Sequence, residues 1–214
     1  IQAISFFRTG NGLSRINYRD MDSEELGSVY ESLLELVPEI RVGAKPWKFT
    51  FIGDDVDQTA SKGHARKLTG SYYTPDSLVQ ELIKTALIPV ISDRIQRAVN
   101  DIRASLLSLK VVDPACGSGH FLLAAARKIA AEVAQCDAGA DQPTEDHFRH
   151  AMRDVVRHCI YGVDVNPLAV ELCKAALWLE TLEPGKPLGF LDAHIRCGNS
   201  LVGIIDLKIV DKGI

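Results

Sequence analysis

Residues 111–126 read VVDPACGSGHFLLAAA, and this stretch constrains the fold more than any other. Two β-branched residues run into an acid, then a proline, a cysteine and two closely spaced glycines, then an apolar run. The pattern predicts a short buried strand ending at Asp113, a tight turn, and a helix from Gly119 to about Val133. Glycines in such a turn let the backbone fold sharply and let a ligand approach main-chain N–H groups. Gly117 and Gly119 alone more often mark a plain strand-to-helix turn. The dinucleotide fingerprint is excluded, because position 122 holds Leu where Gly or Ala is required. A phosphate-binding P-loop is excluded too, since no Lys-Ser/Thr pair follows. An acid at the head of the loop disfavours phosphate and favours an ammonium group.

The surrounding sequence alternates strand and helix patterns. Thr74 before Pro75 reads as a helix start, with the hydroxyl capping and the proline in the first turn. Leu78, Val79, Leu82, Ile83 and Leu87 form its apolar face, and Pro89 is expected to kink it. Further helices are expected over 145–157 and 167–182, a loop over 134–146, and strands over 159–165 and from 193 into a turn at 203. Strands alternating with helices imply an α/β fold with a parallel sheet. Ahead of this, 21–37 has helical spacing, Asp22 and Glu25 resemble a capping box, and Pro38 is read as the helix end. WKFTFI (47–52) reads as a strand and the polar stretch 53–70 as a loop holding a domain boundary. The expected division is 1–68, a helical and linker segment, and 69–214, a ligand-binding α/β domain.

Three further stretches join the first. Asp164 in YGVDVNP (161–167) ends the next strand, where a carboxylate can accept ribose hydroxyls or simply cap a turn. Asn199 in GNSL (198–201) carries an amide able to read an adenine edge, although Gly-Asn-Ser is more often a turn. TGSYYTP (69–75) leads into a helix start, a place that suits a carboxylate. An acid for an ammonium, a helix start for a carboxylate, an acid for a ribose and an amide for an adenine are together the recognition needs of S-adenosylmethionine. The conjunction is more specific than any member.

Charge and cysteine content bound the remainder. With 24 basic and 28 acidic residues the formal charge is −4, which argues against a nucleic-acid clamp spread over the whole surface. The five cysteines show neither CxxC nor zinc spacing, so reduced, mostly buried thiols in the cytoplasm are expected, with no metal site. No apolar run reaches the roughly 18 residues of a membrane span.

DPACGSGHFL and GSYYTP resemble the DNA adenine-N6 methyltransferases, most closely the methylase part of type II enzymes that restrict and methylate in one polypeptide, and related phage-defence methylases. EELGSVYESLLE resembles the helical segment that precedes the methylase there. The resemblance spans about residues 20–203. It implies a Rossmann-like S-adenosylmethionine-dependent sheet, here partial, and transfer of a methyl group to adenine N6 in double-stranded DNA. Residue by residue, Thr74 with its neighbours Tyr73 and Pro75 would meet the methionine carboxylate. Asp113 would take the amino group, and Pro114, Ala115, Cys116, Gly117 and Gly119 would line the loop beneath. Asp164 would bind the ribose with Val165 against the adenine face, and Asn199 and Ser200 would address the adenine edge. The family's catalytic motif, Asn or Asp before Pro-Pro and an aromatic, follows the GNSL-type motif, but this sequence has no Pro-Pro at all. The resemblance therefore implies a cofactor-binding piece of a longer protein, without catalytic residues of its own. A nuclease and a target recognition domain would lie elsewhere. RNA or protein-glutamine methylation, and a non-catalytic binding module, are the rival readings.

Overall fold

The computed structural model describes residues 6–9, 12–15, 37–41, 48–52, 74–183, 185 and 189–202. Among the described residues, four strands precede the main body. β1 (Phe6–Thr9) pairs antiparallel with β2 (Gly12–Arg15), and β3 (Val37–Arg41) with β4 (Lys48–Ile52). The strand expected at 47–52 is therefore present. The helix expected over 21–37 lies outside the described residues up to 36, and at Val37 the expectation fails. Val37 and Pro38 begin β3 rather than ending a helix, so the described part of 1–68 is extended chain. The boundary loop at 53–70 also lies outside the described residues.

The main body starts with α1 (Asp76–Leu82), a π-helical turn (Ile83–Leu87) and α2 (Ile88–Arg97) in unbroken succession. Thr74 does not cap this run. Pro75 occupies the N-cap with extended backbone and no side-chain cap bond. Pro89 disturbs the helix without ending it, through the π turn just before it. Proline has no N–H to give the preceding turn, and the wider π turn takes up the mismatch. The sequence reading missed α3 (Ile102–Leu107), although Asp101 caps it by accepting the Ala104 amide at 2.9 Å.

Three strands then form a parallel sheet in the order β5-β6-β7: β5 (Val111–Asp113), β6 (Ile160–Asp164) and β7 (Ile195–Cys197). Asp113 pairs with Gly162, and Asp164 with Cys197, so all three strands end toward the same edge. The first crossover is made by α4 (His120–Ala138) and α5 (Glu145–Cys159), the second by α6 (Pro167–Glu180) and α7 (Leu191–His194). The helix α4 runs five residues beyond the expected Val133, because Ala134 is still buried and the chain turns only at Gly139, whose φ is 65°. Residues 191–194, expected to start a strand at 193, are helical instead.

The core follows from helix periodicity. In α5, Ala151, Met152, Val155, Val156 and Cys159 face inward, and in α6 Ala169, Val170, Cys173, Ala176 and Leu177 do so. Both sets repeat at helical spacing, which leaves the opposite face polar or exposed. The first half of α4 is buried almost all round, from Leu122 to Ala126 and on to Ile129 and Ala130, because it packs against β5 and β6 on one side and α5 on the other. Arg103 ties the helices outside the core, reaching Asp137 at 2.7 Å and Asp154 at 2.5 Å. No helix among the described residues is long and apolar enough to cross a membrane. All five cysteines carry free thiols, and Cys116, Cys159 and Cys173 are buried.

Candidate cofactor site

The three C-terminal strand ends place three of the sequence-predicted segments together, 113–119, 161–167 and 198–201. Asp113 ends β5, and its carboxylate accepts the Ala115 amide at 3.0 Å, which starts the turn. The loop then leans onto β6. The Cys116 amide donates to the Val163 carbonyl at 3.0 Å, and the Gly117 amide donates to Asp164 Oδ2 at 2.9 Å. The Gly119 amide closes the turn onto the Cys116 carbonyl at 2.8 Å. Asp164 Oδ1 accepts the Asn166 amide at 2.8 Å, and the Asp164 carbonyl accepts the Gly198 amide at 2.9 Å. Ser200 Oγ donates to the Pro114 carbonyl at 2.8 Å. One carboxylate, Asp164, thus connects the β5–α4 loop to the turn after β6, while its backbone connects to the turn after β7.

The glycine of the loop that tolerates no substitute is Gly119. It caps α4 with φ at 91°, in the left-handed region, and a Cβ there would lie 2.6 Å from Cys173 Sγ. The backbone conformation and the closeness of α6 both require the missing side chain. Gly117 has φ at 52° with open space around it, so its requirement is conformational only.

Electrostatics single out Asp113. Burial pushes the Asp113 carboxyl above its ordinary range; the Ala115 N–H pulls it back, and the Asp164 charge nearby pushes it up again. Two carboxylates on neighbouring strand ends with helix and loop packed around them form a site that a cation relieves. Below the loop, the Cys173 thiol is raised well above its usual range, first by a hydrogen bond with the Cys116 thiol and then by burial. Cys116 is buried in the packing beneath the loop, which suits a small loop residue rather than a nucleophile.

The remaining predicted residues sit as follows. Val165 is exposed beside Asp164 and free to meet a flat ring. Asn199 uses its side-chain oxygen on the Leu201 amide at 2.9 Å, a local turn that leaves its amide nitrogen as the group able to address a ligand. Tyr73 lies outside the described residues, while Thr74 is half-buried and Pro75 exposed. The sequence reading overlooked Asp76 and His120, whose side chains approach to 3.6 Å between the segment after Thr74 and the end of the glycine loop. The signal was available, as His120 directly follows DPACGSG. A groove of about 450 Å³ runs along β5 beside Asp113 and Pro114, lined by apolar side chains that include Leu82, Val90, Val112 and Phe121.

A parallel sheet carries here an acid-headed glycine loop at its carboxyl edge and a second acid on the next strand, the edge at which open α/β sheets bind their ligands. The chain belongs to the N-6 DNA Methylase family, whose pattern matches residues 58–202. Among curated proteins it is 26% identical over 226 residues to a putative type II restriction enzyme and methyltransferase of Methanocaldococcus jannaschii, covering 87% of this chain and 17% of that protein. It is 27% identical over 168 residues to the adenine-specific methyltransferase PglX of Streptomyces coelicolor, covering 75% and 12%. A type II restriction enzyme and methyltransferase of Escherichia coli is 30% identical over 146 residues, covering 60% and 14%. The chain therefore spans less than a fifth of the length of these relatives.

Proposed function

We propose that residues 69–214 form a Rossmann-like domain that binds S-adenosylmethionine for methylation of adenine N6 in double-stranded DNA, within a restriction-modification or phage-defence enzyme of the cytoplasm. The observation that supports the reading is that Asp113 and Asp164 end the adjacent strands β5 and β6, with the glycine loop after Asp113 fastened to Asp164 by the Gly117–Asp164 bond. Bound there, the donor would supply an electrophilic methyl group. Asp113, held above its ordinary range by burial, receives the ammonium of the methionyl group and is relieved by it. Thr74, with Tyr73 and Pro75, meets the carboxylate. Asp164 keeps the loop closed through Gly117 and turns its remaining acceptor capacity to the ribose hydroxyls; each carboxylate oxygen can accept more than one bond. Val165 supports the adenine face, with Asn199 and Ser200 at its edge. Pro114, Ala115, Cys116, Gly117 and Gly119 supply a close-fitting floor.

Taking an adenine amine as the acceptor draws on the family and on the names of the relatives. Pro-Pro, the core of the family's catalytic motif, is absent from the 214 residues, so no residue of this chain is assigned a catalytic role. Titration calorimetry of this chain with S-adenosylmethionine tests the binding half of the proposal, and absence of binding overturns it. Transfer of a labelled methyl group by the full-length protein to DNA, RNA and protein acceptors tests the substrate half; labelling of RNA or protein in place of DNA overturns that.

A further inference from the structure

We propose that His120 is a positioning residue that clasps the Thr74–Asp76 segment to the glycine loop, so that the two ends of the methionyl group are gripped as one unit. The inference rests on the cofactor reading above and names a residue that reading does not use. His120 is the first residue of α4, 9% exposed, directly after the loop headed by Asp113. Its Nε2 lies 3.6 Å from Asp76 Oδ1. Asp76 follows Thr74 and Pro75 and is half exposed, and the same oxygen accepts the Gln80 side-chain amide at 3.1 Å. The contact joins two segments far apart in sequence, one assigned to the carboxylate and the other to the ammonium.

Those two groups of the donor are carried on one carbon atom, so their receptors must keep a fixed separation. Asp113 is fixed by the sheet and by the loop bonds. The 74–76 segment has no place in the sheet, and Pro75 caps α1 without a side-chain bond. A histidine buried at the end of the loop is placed to set that separation. At 3.6 Å the contact exceeds a hydrogen bond, and contacts of this kind commonly tighten when the ligand arrives.

Calorimetry on the full chain with two donors tests the inference: S-adenosylmethionine and its decarboxylated analogue, which keeps the amine and lacks the carboxylate. His120→Phe and Asp76→Ala should each weaken S-adenosylmethionine binding about fivefold. The double variant should be no weaker than either single one, because one contact has been removed in all three. Binding of the decarboxylated analogue should be unchanged. Asp76 is half exposed, so its variant keeps the test open should His120→Phe fail to fold. Wild-type affinity in either variant, additive losses in the double, or equal losses with both donors overturns the clasp while leaving the cofactor reading intact. Absence of S-adenosylmethionine binding by the unmodified chain overturns the cofactor reading itself, and the clasp with it.

Discussion

The Gly117 amide donates to the Asp164 carboxylate at 2.9 Å, across 47 residues of sequence. The bond fastens the loop after β5 to the end of β6, and the group doing so is the one assigned to the ribose. Asp164→Ala removes both functions. Binding of S-adenosylmethionine should weaken by on the order of 1.5–3 kcal/mol, as expected for a charge-assisted hydrogen-bond pair. Calorimetry reads the affinity, and unchanged binding removes Asp164 from the site. Thermal denaturation of the same variant should show a lower midpoint, because the Gly117 and Asn166 amides lose their acceptor.

Asp113 gives a pH dependence of definite sign. Burial raises its pKa in the folded chain, so the folded state binds the proton more tightly than the unfolded state. Its contribution to stability is then fully present below the ordinary carboxylate range and is lost as pH rises through the raised value. Asp113→Asn should accordingly raise the melting temperature at pH 7 and leave it little changed near pH 3. The same variant should bind S-adenosylmethionine more weakly at pH 7. A lower melting temperature at pH 7 would show that the charge is already compensated in the free chain.

Gly119→Ala introduces a side chain into left-handed backbone and places it 2.6 Å from Cys173 Sγ. The loss in urea denaturation should be about 3 kcal/mol, from backbone strain and overpacking together. Cys173→Ala in the same background should recover part of it, since it removes the sulfur and leaves the strain. No recovery would assign the whole cost to the backbone.

Thr144 caps α5, its hydroxyl accepting the His147 amide while His147 Nδ1 accepts the Thr144 amide, both at 3.3 Å. Thr144→Ala should cost about 1 kcal/mol by urea denaturation, typical of a lost N-cap. Cofactor affinity should not change, because none of the assigned residues lies on α5 or at its cap. A change in affinity would link α5 to the site.

The β5–loop–α4 unit was legible because Val-Val, Asp-Pro, Gly-x-Gly and the apolar run each state a local backbone preference, and all agree. The same held for α6, where Asn166 accepts the Leu168 amide and Pro167 takes the first turn. Local preference misled at Thr74. A hydroxyl before proline suits a cap, yet the N-cap fell at Pro75 with no side-chain bond. It misled again at Val37 and Pro38, where pairing with Phe51 and Ile52 makes a strand, and β pairing depends on a partner that periodicity cannot show. The helix α4 outran its expected end because Ala134 is buried against neighbouring elements.

The sequence by itself determined the parallel α/β class, the acid-headed glycine turn and the position of Asp113 and Asp164 at strand ends, since these rest on residue type and spacing over a few positions. Only the tertiary structure decided that Asp164 closes the loop through Gly117, that Cys173 sets the need for glycine at position 119, and that His120 meets Asp76. Each of these contacts joins residues that are 44 or more positions apart in the numbering. Local backbone preference carries no information over such separations; strand register and helix packing bring the groups together.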